Sequence, residues 1–165
     1  MDRKPVRLRP ATAQDLRALH ALDQVCFARG IAYSIAELLY YLRKPGAANI
    51  VAEDAAGGLA GFALAYPVEF GTRRAAHLIT IDVAPEARRA GVATALMDAV
   101  ESALAAAGAA VMRLEVAVDN LAAQQFYQRR GYERGKLLPG YYLGTLDAFA
   151  MEKPLSPQAA VGVFR

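Results

Sequence analysis

The stretch that decides the fold is Ile81-Asp82-Val83-Ala84-Pro85-Glu86-Ala87-Arg88-Arg89-Ala90-Gly91-Val92-Ala93-Thr94-Ala95-Leu96. Its residue types predict a strand, a loop and the start of a helix. Backbone N–H groups at a helix N-terminus, with the positive end of the helix dipole behind them, favour an anion. Gly91 and Ala93 are small enough to let a phosphate approach the backbone. Arg88 and Arg89 add positive charge, and the Thr94 hydroxyl adds a donor. We therefore predict a phosphate-binding loop here.

The same residues also fit an ordinary helix start whose arginines are solvated, and the sequence leaves this alternative open. Two other nucleotide-binding motifs are excluded. A dinucleotide fingerprint requires Gly-x-Gly-x-x-Gly, and a P-loop requires Gly-Lys followed by Ser or Thr. Residues 91–96 contain neither pattern.

Periodic patterns extend from this stretch in both directions. Apolar residues recur every fourth position from Val92 to Leu104, and Gly108 follows as a C-terminal cap, which predicts a helix over residues 91–107. The other predicted elements are a strand at residues 6–8, helices opening at Thr12 and Ser34, strands at 49–53, 59–67, 76–83 and 111–118, a helix at 121–130, and strands at 132–136 and 146–153. The predicted order is β-α-α-β-β-β-α-β-α-β-β.

Composition restricts the class of protein. The 165 residues suit one domain, and the net charge of +3 comes without the basic and aromatic run that indicates nucleic-acid binding. The single cysteine, Cys26, excludes an internal disulfide, and with only His20 and His77 beside it we expect no metal site. No stretch predicts a signal peptide or a membrane-spanning helix. We therefore expect a cytoplasmic protein that binds neither membrane nor nucleic acid.

Two blocks of the sequence resemble one family. The spacing Arg88-x-x-Gly91-x-Ala93 is similar to the acyl-CoA signature R/Q-x-x-G-x-G/A of the GNAT N-acyltransferase superfamily. A second block resembles the family's strand, helix and strand around the cofactor thiol. Its matching residues are Leu114-Glu115-Val116, Asn120, Ala122, Phe126-Tyr127 and Gly131-Tyr132.

Within the superfamily, the block around Glu115 and the run Gly140-Tyr141-Tyr142 are most similar to one branch. That branch acetylates protein N-termini and includes the ribosomal-protein alanine acetyltransferases. The narrower resemblance therefore implies N-terminal acetylation.

The resemblance covers residues 6–155 and implies an α+β fold, the GNAT fold. This fold has a mixed, mostly antiparallel sheet of about six to seven strands, flanked by helices and splayed between its central parallel strands. We expect a single acyl-CoA N-acyltransferase domain over residues 1–155, a C-terminal tail over residues 156–165, and a monomer or homodimer.

The resemblance also implies acetyl-CoA as cosubstrate. The backbone of Ile81 and Val83 would pair with the pantetheine amides like an added strand. Asn120 would hydrogen-bond the pantetheine arm, and it also fits the N-cap position before Leu121. The residues expected to bind the cofactor are Ile81, Val83, Arg88, Arg89, Ala90, Gly91, Val92, Ala93, Thr94, Asn120, Ala122 and Tyr127.

Catalysis requires a neutral amine, yet an α-amino group has a pKa of about 7.7 to 8.0 and a lysine one of about 10.4, so a base is useful. Strand alternation puts Glu115 on the same face as Arg113, opposite the apolar residues. The resemblance implies that Glu115 takes the amine proton, directly or through water; an ion pair with Arg113 is the alternative. Tyr127 would protonate the departing thiolate, or it simply packs beside Phe126.

The acceptor is the least determined part of the prediction. Tyr33, Tyr141 and Tyr142 are the candidates for acceptor binding, against the alternative that tyrosines in loops merely pack. The implied reaction is transfer of an acetyl group from acetyl-CoA to a primary amine by direct attack in a ternary complex. A protein N-terminal α-amine is one candidate acceptor, and a small-molecule amine or a lysine side chain is the alternative. A non-catalytic acyl-CoA sensor or interaction module is the alternative of another class, which the presence of both Glu115 and Tyr127 disfavours.

Overall fold

The computed structural model describes residues 5–156, apart from the side chain of Phe70. These residues form seven strands and four α-helices in the predicted order. The strands are β1 (Arg7–Pro10), β2 (Ala48–Glu53), β3 (Leu59–Phe70), β4 (Arg73–Val83), β5 (Val111–Ala117), β6 (Glu133–Tyr142) and β7 (Leu146–Pro154). The helices are α1 (Leu16–Cys26), α2 (Ile35–Leu42), α3 (Val92–Ala106) and α4 (Leu121–Arg129). Most of the predicted tail, residues 157–165, lies outside the described part of the chain.

The strands form one sheet in the order β1-β2-β3-β4-β5-β7-β6. All neighbours are antiparallel except β4 and β5, which are parallel. The predicted α+β fold with a mixed, mostly antiparallel sheet is therefore confirmed.

The sheet opens between its two parallel strands, as predicted. The pairing of β4 with β5 runs from Ala75 opposite Val111 to His77 opposite Arg113. Beyond His77, β4 remains paired with β3 as far as Val83, while β5 remains paired with β7. The C-terminal halves of β4 and β5 therefore diverge and leave a gap inside the sheet.

Helices cover both faces of the sheet. Leu96 of α3 is fully buried in the cluster on one face, which includes Leu78 of β4. Leu19 of α1 packs with Phe62 and Ile79 on the other face. Full burial of a leucine or phenylalanine side chain stabilises the fold by roughly 1.5–3 kcal/mol. Strand β4, which borders the gap, is thus held by packing from both sides.

The first two helices open at Thr12 and Ser34, as the sequence predicts, and each of these residues begins a capping box. The Thr12 N–H donates to Asp15 Oδ2 at 2.7 Å, and one turn of 3₁₀-helix precedes α1. The Ser34 N–H donates to Glu37 Oε2 at 2.8 Å, and the Glu37 N–H donates to Ser34 Oγ at 3.2 Å. Each box satisfies backbone donors that a helix start leaves unpaired.

Strand β6 is longer than the sequence predicts. It was expected over residues 132–136, but it extends to Tyr142, so Tyr141 and Tyr142 lie on a strand and not in a loop. Gly135 and Pro139 interrupt its alternation, and its pairing with β7 has two register shifts. An edge strand accommodates such residues because one side of its backbone needs no partner.

Candidate active site

A cleft of about 640 Å³ lies where β4 and β5 separate. Eight of the predicted site residues line it: Ile81, Val83, Ala93, Glu115, Asn120 and Tyr127 from the cofactor and catalytic set, and Tyr33 and Tyr142 from the acceptor set. They come from five elements, β4, α3, β5, α4 and β6, and from the segments before α2 and α4. The fold therefore brings together residues that are far apart in the sequence.

The predicted phosphate-binding loop leads directly into α3. Gly91 adopts the left-handed conformation, with φ of 82°, immediately before the helix. The Ala95 N–H donates to the Gly91 carbonyl at 3.0 Å, so the N–H groups of residues 92–94 precede the first helical hydrogen bond. Such groups favour an anion at the helix start. The small Ala93 leaves this end of the cleft open.

The two arginines of this loop differ in their surroundings. Arg88 Nε donates to the Val83 carbonyl at 3.2 Å, and Arg88 Nη2 lies 3.8 Å from Cys26 Sγ. Arg89 is exposed and has φ of 62°, a conformation that is costly for a residue with a Cβ. A guanidinium has five N–H donors, so Arg88 retains donors beyond its contact with Val83.

Seven of the twelve predicted cofactor residues are not among those that line the cleft: Arg88, Arg89, Ala90, Gly91, Val92, Thr94 and Ala122. Val92 is buried in the core, so only its backbone can face a ligand. Ala90 is partly buried against the same core, and Thr94 is exposed on the first turn of α3. Ala122 is also exposed, and its neighbour Ala123 lines the cleft instead, because successive helix residues point about 100° apart.

The candidate base is paired with a histidine. His77 Nε2 lies 2.7 Å from Glu115 Oε2, and the two side chains are 24% and 22% exposed. His77 is not among the site residues predicted from the sequence, so the structure adds this contact. It arises because β4 and β5 are still paired at His77, just before they diverge. The sequence carries no sign of it, since it depends on the register between two strands joined through a helix.

The structure does not contain the alternative ion pair between Glu115 and Arg113. Arg113 Nε lies 2.9 Å from Glu152 Oε1 on the adjacent strand β7. Register explains this, because Arg113 is directly opposite Glu152 in the antiparallel pair. Glu115 is therefore left to face the cleft and His77.

Two of the three candidate acceptor tyrosines, Tyr141 and Tyr142, lie near Glu115. The Tyr141 and Tyr142 rings are 4.9 Å apart, edge to face, and burial followed by the nearby Glu115 charge raises the pKa of Tyr142 to about 12. The same causes raise the pKa of Tyr141, which is in direct contact with Glu115. The Tyr33 hydroxyl lies 3.5 Å from the Ile79 carbonyl. Tyr33 and Tyr142 therefore line the cleft, whereas Tyr141 does not line it and contacts Glu115 from beside Tyr142.

Tyr127 is buried, at 7% exposure, yet its side chain borders the cleft. It packs edge to face against Phe126 and Tyr132, so the packing interpretation also applies to it. Burial raises the pKa of Tyr127 above its ordinary value. The hydroxyl is therefore protonated at neutral pH, as a proton donor to a thiolate must be.

Asn120 has the N-cap role that its position predicts. Its Oδ1 accepts the Ala123 N–H at 3.2 Å at the start of α4. Because Oδ1 is engaged in this cap, the side-chain nitrogen Nδ2, which is a donor, is the atom that can face a ligand in the cleft.

Within residues 5–156, no group of three or more His, Cys, Asp or Glu side chains is arranged to hold a metal ion. None of the helices described here has the length and apolar character needed to cross a bilayer.

Comparison with known proteins identifies the family. The sequence matches the acetyltransferase (GNAT) family over residues 16–132. It is 31% identical over 152 residues to the N-terminal acetyltransferase A complex catalytic subunit NAA10 of Arabidopsis thaliana, a match that covers 91% of this chain and 78% of that protein. It is 37% identical over 83 residues to an N-alpha-acetyltransferase of Saccharolobus solfataricus, and this match spans only 50% of each chain.

A solved structure agrees with these sequence matches. The ribosomal-protein-S18-alanine N-acetyltransferase from Escherichia coli superposes with a TM-score of 0.79 at 26% identity, covering 92% of this chain and 95% of that one. The family match and these relatives confirm the expected GNAT fold. They also confirm the expected N-acetyltransferase activity, with acetyl-CoA as cosubstrate. The chain belongs to the acetyltransferase (GNAT) family.

Proposed function

We propose that this chain acetylates the α-amine at the N-terminus of a peptide or protein. The observation that carries the proposal is the 2.7 Å contact between Glu115 and His77 at the wall of the cleft. A carboxylate in contact with an imidazole can accept a proton from an ammonium group that enters beside it. An α-amine has a pKa of about 7.7 to 8.0, so a weak base is sufficient near neutral pH.

The cofactor would lie along the β4 side of the cleft. The loop before α3 offers the N–H groups of residues 92–94 and the charges of Arg88 and Arg89 to the pyrophosphate. Ile81 and Val83 lie on the edge of β4 that β5 leaves unpaired, which suits an extended arm with amide groups. The acetyl group would then reach the part of the cleft that Glu115 and Tyr127 line.

The reaction would proceed by direct attack. The amine nitrogen forms a bond to the acetyl carbon, the carbon–sulfur bond breaks, and coenzyme A leaves as a thiolate. The amine proton passes to Glu115, whose contact with His77 stabilises the proton on the pair. Tyr127 is protonated at neutral pH because burial raises its pKa, and its hydroxyl would donate to the thiolate as the thiolate forms beside it. Any proton that Tyr127 gives to coenzyme A must be returned to it, and the proton released by the amine to Glu115 is equal to it in number.

The acceptor side supports a peptide N-terminus. Tyr33, in the segment before α2, and Tyr142, on the edge strand β6, line the cleft, and the Tyr141 ring packs against that of Tyr142. The named activities of the Arabidopsis and E. coli relatives are N-terminal and alanine N-acetylation, which supports an α-amine over a lysine.

The test is a free-thiol assay with two matched peptides. One has a free α-amine and no lysine, and the other has a blocked N-terminus and one internal lysine. We expect acetyl-CoA-dependent thiol release with the first peptide alone, and mass spectrometry should locate the acetyl group on its first residue. Release with the lysine peptide or with polyamines alone would contradict the acceptor, and absence of release with every amine would contradict the activity.

A further inference from the structure

Two carboxyl groups meet in the protein core beside the cleft. Asp23 of α1 is 0% exposed and Asp82 of β4 is 1% exposed. Asp23 Oδ2 accepts the Tyr33 N–H, and Asp82 Oδ1 accepts the Thr80 hydroxyl at 2.6 Å. The other two oxygens, Asp23 Oδ1 and Asp82 Oδ2, have no donor among the described residues. The two side chains are nevertheless within hydrogen-bonding reach of each other.

Two ionised carboxylates cannot remain in contact in a buried site without a large cost from desolvation and repulsion. A single proton between Asp23 Oδ1 and Asp82 Oδ2 would lower both the desolvation cost and the repulsion. It would also give each of these two unpaired oxygens a hydrogen-bond partner. Burial raises the pKa of both carboxyl groups, and that of Asp82 is raised further by the charge of Asp23.

Few of the charged and titratable groups around the pair could neutralise its negative charge in another way. The surrounding groups are His20 and Cys26 on α1, Glu37 on α2, Tyr33 in the segment before α2, and Tyr127 on α4. Among them only His20 can carry positive charge, and Glu37 opposes ionisation of Asp23. A shared proton therefore remains the main means of neutralising the pair.

We propose that Asp23 and Asp82 share one proton and together act as a positioning pair that holds Tyr33 at the acceptor side of the cleft. Tyr33 is held by the bond from its N–H to Asp23, by its carbonyl, which accepts Gln24 Nε2 at 3.0 Å, and by its hydroxyl near the Ile79 carbonyl. Asp82 lies between Ile81 and Val83, the two positions assigned to the pantetheine arm. The pair thus connects the acceptor segment to the cofactor strand.

This connection has a consequence for substrate binding, and that part rests on the proposed function. Loss of the shared proton leaves two facing negative charges, which push α1 away from β4 and loosen Tyr33. The KM for the acceptor should then rise with pH, while the Kd for acetyl-CoA changes little, because the N–H groups of residues 92–94 belong to α3, which packs on the opposite face of the sheet from α1. The variant D82N separates the effects, since an asparagine can donate an N–H to Asp23 at every pH and does not titrate.

The experiment compares wild type, D82N and D82A, with D98N as a matched control at an exposed aspartate on α3. The first readout is the backbone amide resonance of Tyr33 between pH 6 and 9, which needs no substrate. We expect this resonance to shift with pH in wild type and D98N and to remain constant in D82N. A Tyr33 resonance that is constant in wild type, or that shifts equally in D82N, would overturn the proposal.

The second readout is the acceptor KM of wild type divided by that of D82N, which cancels the titration of the acceptor amine itself. If KM follows the protonated fraction of a group titrating near pH 8, this ratio should rise about tenfold between pH 7 and pH 9. D82A should have a raised acceptor KM at every pH and an unchanged Kd for acetyl-CoA. A pH-independent ratio would overturn the positioning role.

If no amine is acetylated, the proposed function fails, and the Tyr33 resonance still decides whether the pair exists and holds that residue.

Discussion

His77 and Glu115 are 38 positions apart in the sequence, yet His77 Nε2 and Glu115 Oε2 lie 2.7 Å apart at the end of the parallel pairing between β4 and β5. This places an imidazole directly behind the proposed base. The side chain of Glu115 is therefore fixed by a neighbour that does not itself border the open side of the cleft.

We expect E115Q to lower kcat by about 10² to 10⁴-fold, because glutamine cannot accept the amine proton. H77Q should lower kcat less, since it removes the contact that fixes the Glu115 side chain and leaves the carboxylate in place. Steady-state kinetics between pH 6 and 9 measure both effects. E152Q is the matched control, because Glu152 pairs with Arg113 outside the cleft. Full activity of E115Q across this range would refute the assignment of the base.

Y127F should lower kcat and leave the Kd for acetyl-CoA unchanged, because the hydroxyl acts only when the thiolate departs. The matched control is Y132F. Tyr132 is also buried, and its hydroxyl donates to Glu101 Oε1 at 2.8 Å, away from the proposed chemistry. Y132F should lower the unfolding temperature, since Glu101 loses a donor, and kcat should be unaffected. Equal kcat losses in the two variants would indicate that Tyr127 serves packing alone.

Replacement of Arg88 or Arg89 by alanine should raise the Kd for acetyl-CoA about tenfold, the value of one charge-assisted hydrogen bond of roughly 1.4 kcal/mol. The effect should shrink at high salt because both side chains are exposed. Isothermal titration calorimetry at two ionic strengths measures this. R129A, at an exposed arginine near the end of α4, is the control and should bind acetyl-CoA normally. An unchanged Kd in R88A and R89A would argue against the phosphate site.

The pH dependence of stability follows from Asp82. Burial raises its pKa from 3.8 to about 8. Between these values the folded protein keeps a proton that the unfolded chain has released, so the free energy of unfolding falls as pH rises. The stabilising contribution is complete below pH 4 and lost above about pH 8. The unfolding temperature of D82N minus that of wild type should therefore grow from pH 5 to pH 8. The same difference for D98N should stay constant. Parallel curves for D82N and wild type would contradict the raised pKa.

Local patterns were sufficient to predict most of the fold. The helix starts at Thr12 and Ser34 follow from capping boxes, and α3 follows from apolar residues at every fourth position. The position of the loop before α3 could also be predicted, because its glycine, small residue and arginines are close together in the sequence, and its binding of phosphate stays a prediction.

Contacts between distant segments could not be predicted in this way. The pairing of His77 with Glu115 depends on the parallel register of β4 and β5, and no local pattern specifies that register. The residues around Asp82 predict a strand, but they do not predict that its side chain is buried beside Asp23. A bulge in β4, near Ile79, changes which side chains face each side of the sheet.

The early end of the β4 and β5 pairing leaves two strand borders inside the sheet whose amide hydrogens have no partner strand across the gap. In the absence of acetyl-CoA, the amides of β4 that point into this gap should exchange with deuterium faster than those that point towards β3. An extended ligand that fills the gap should slow their exchange, and the β2–β3 amides should be unaffected. Mass-spectrometric exchange on the protein alone and with acetyl-CoA would therefore map the ligand's path along the strand without a crystal.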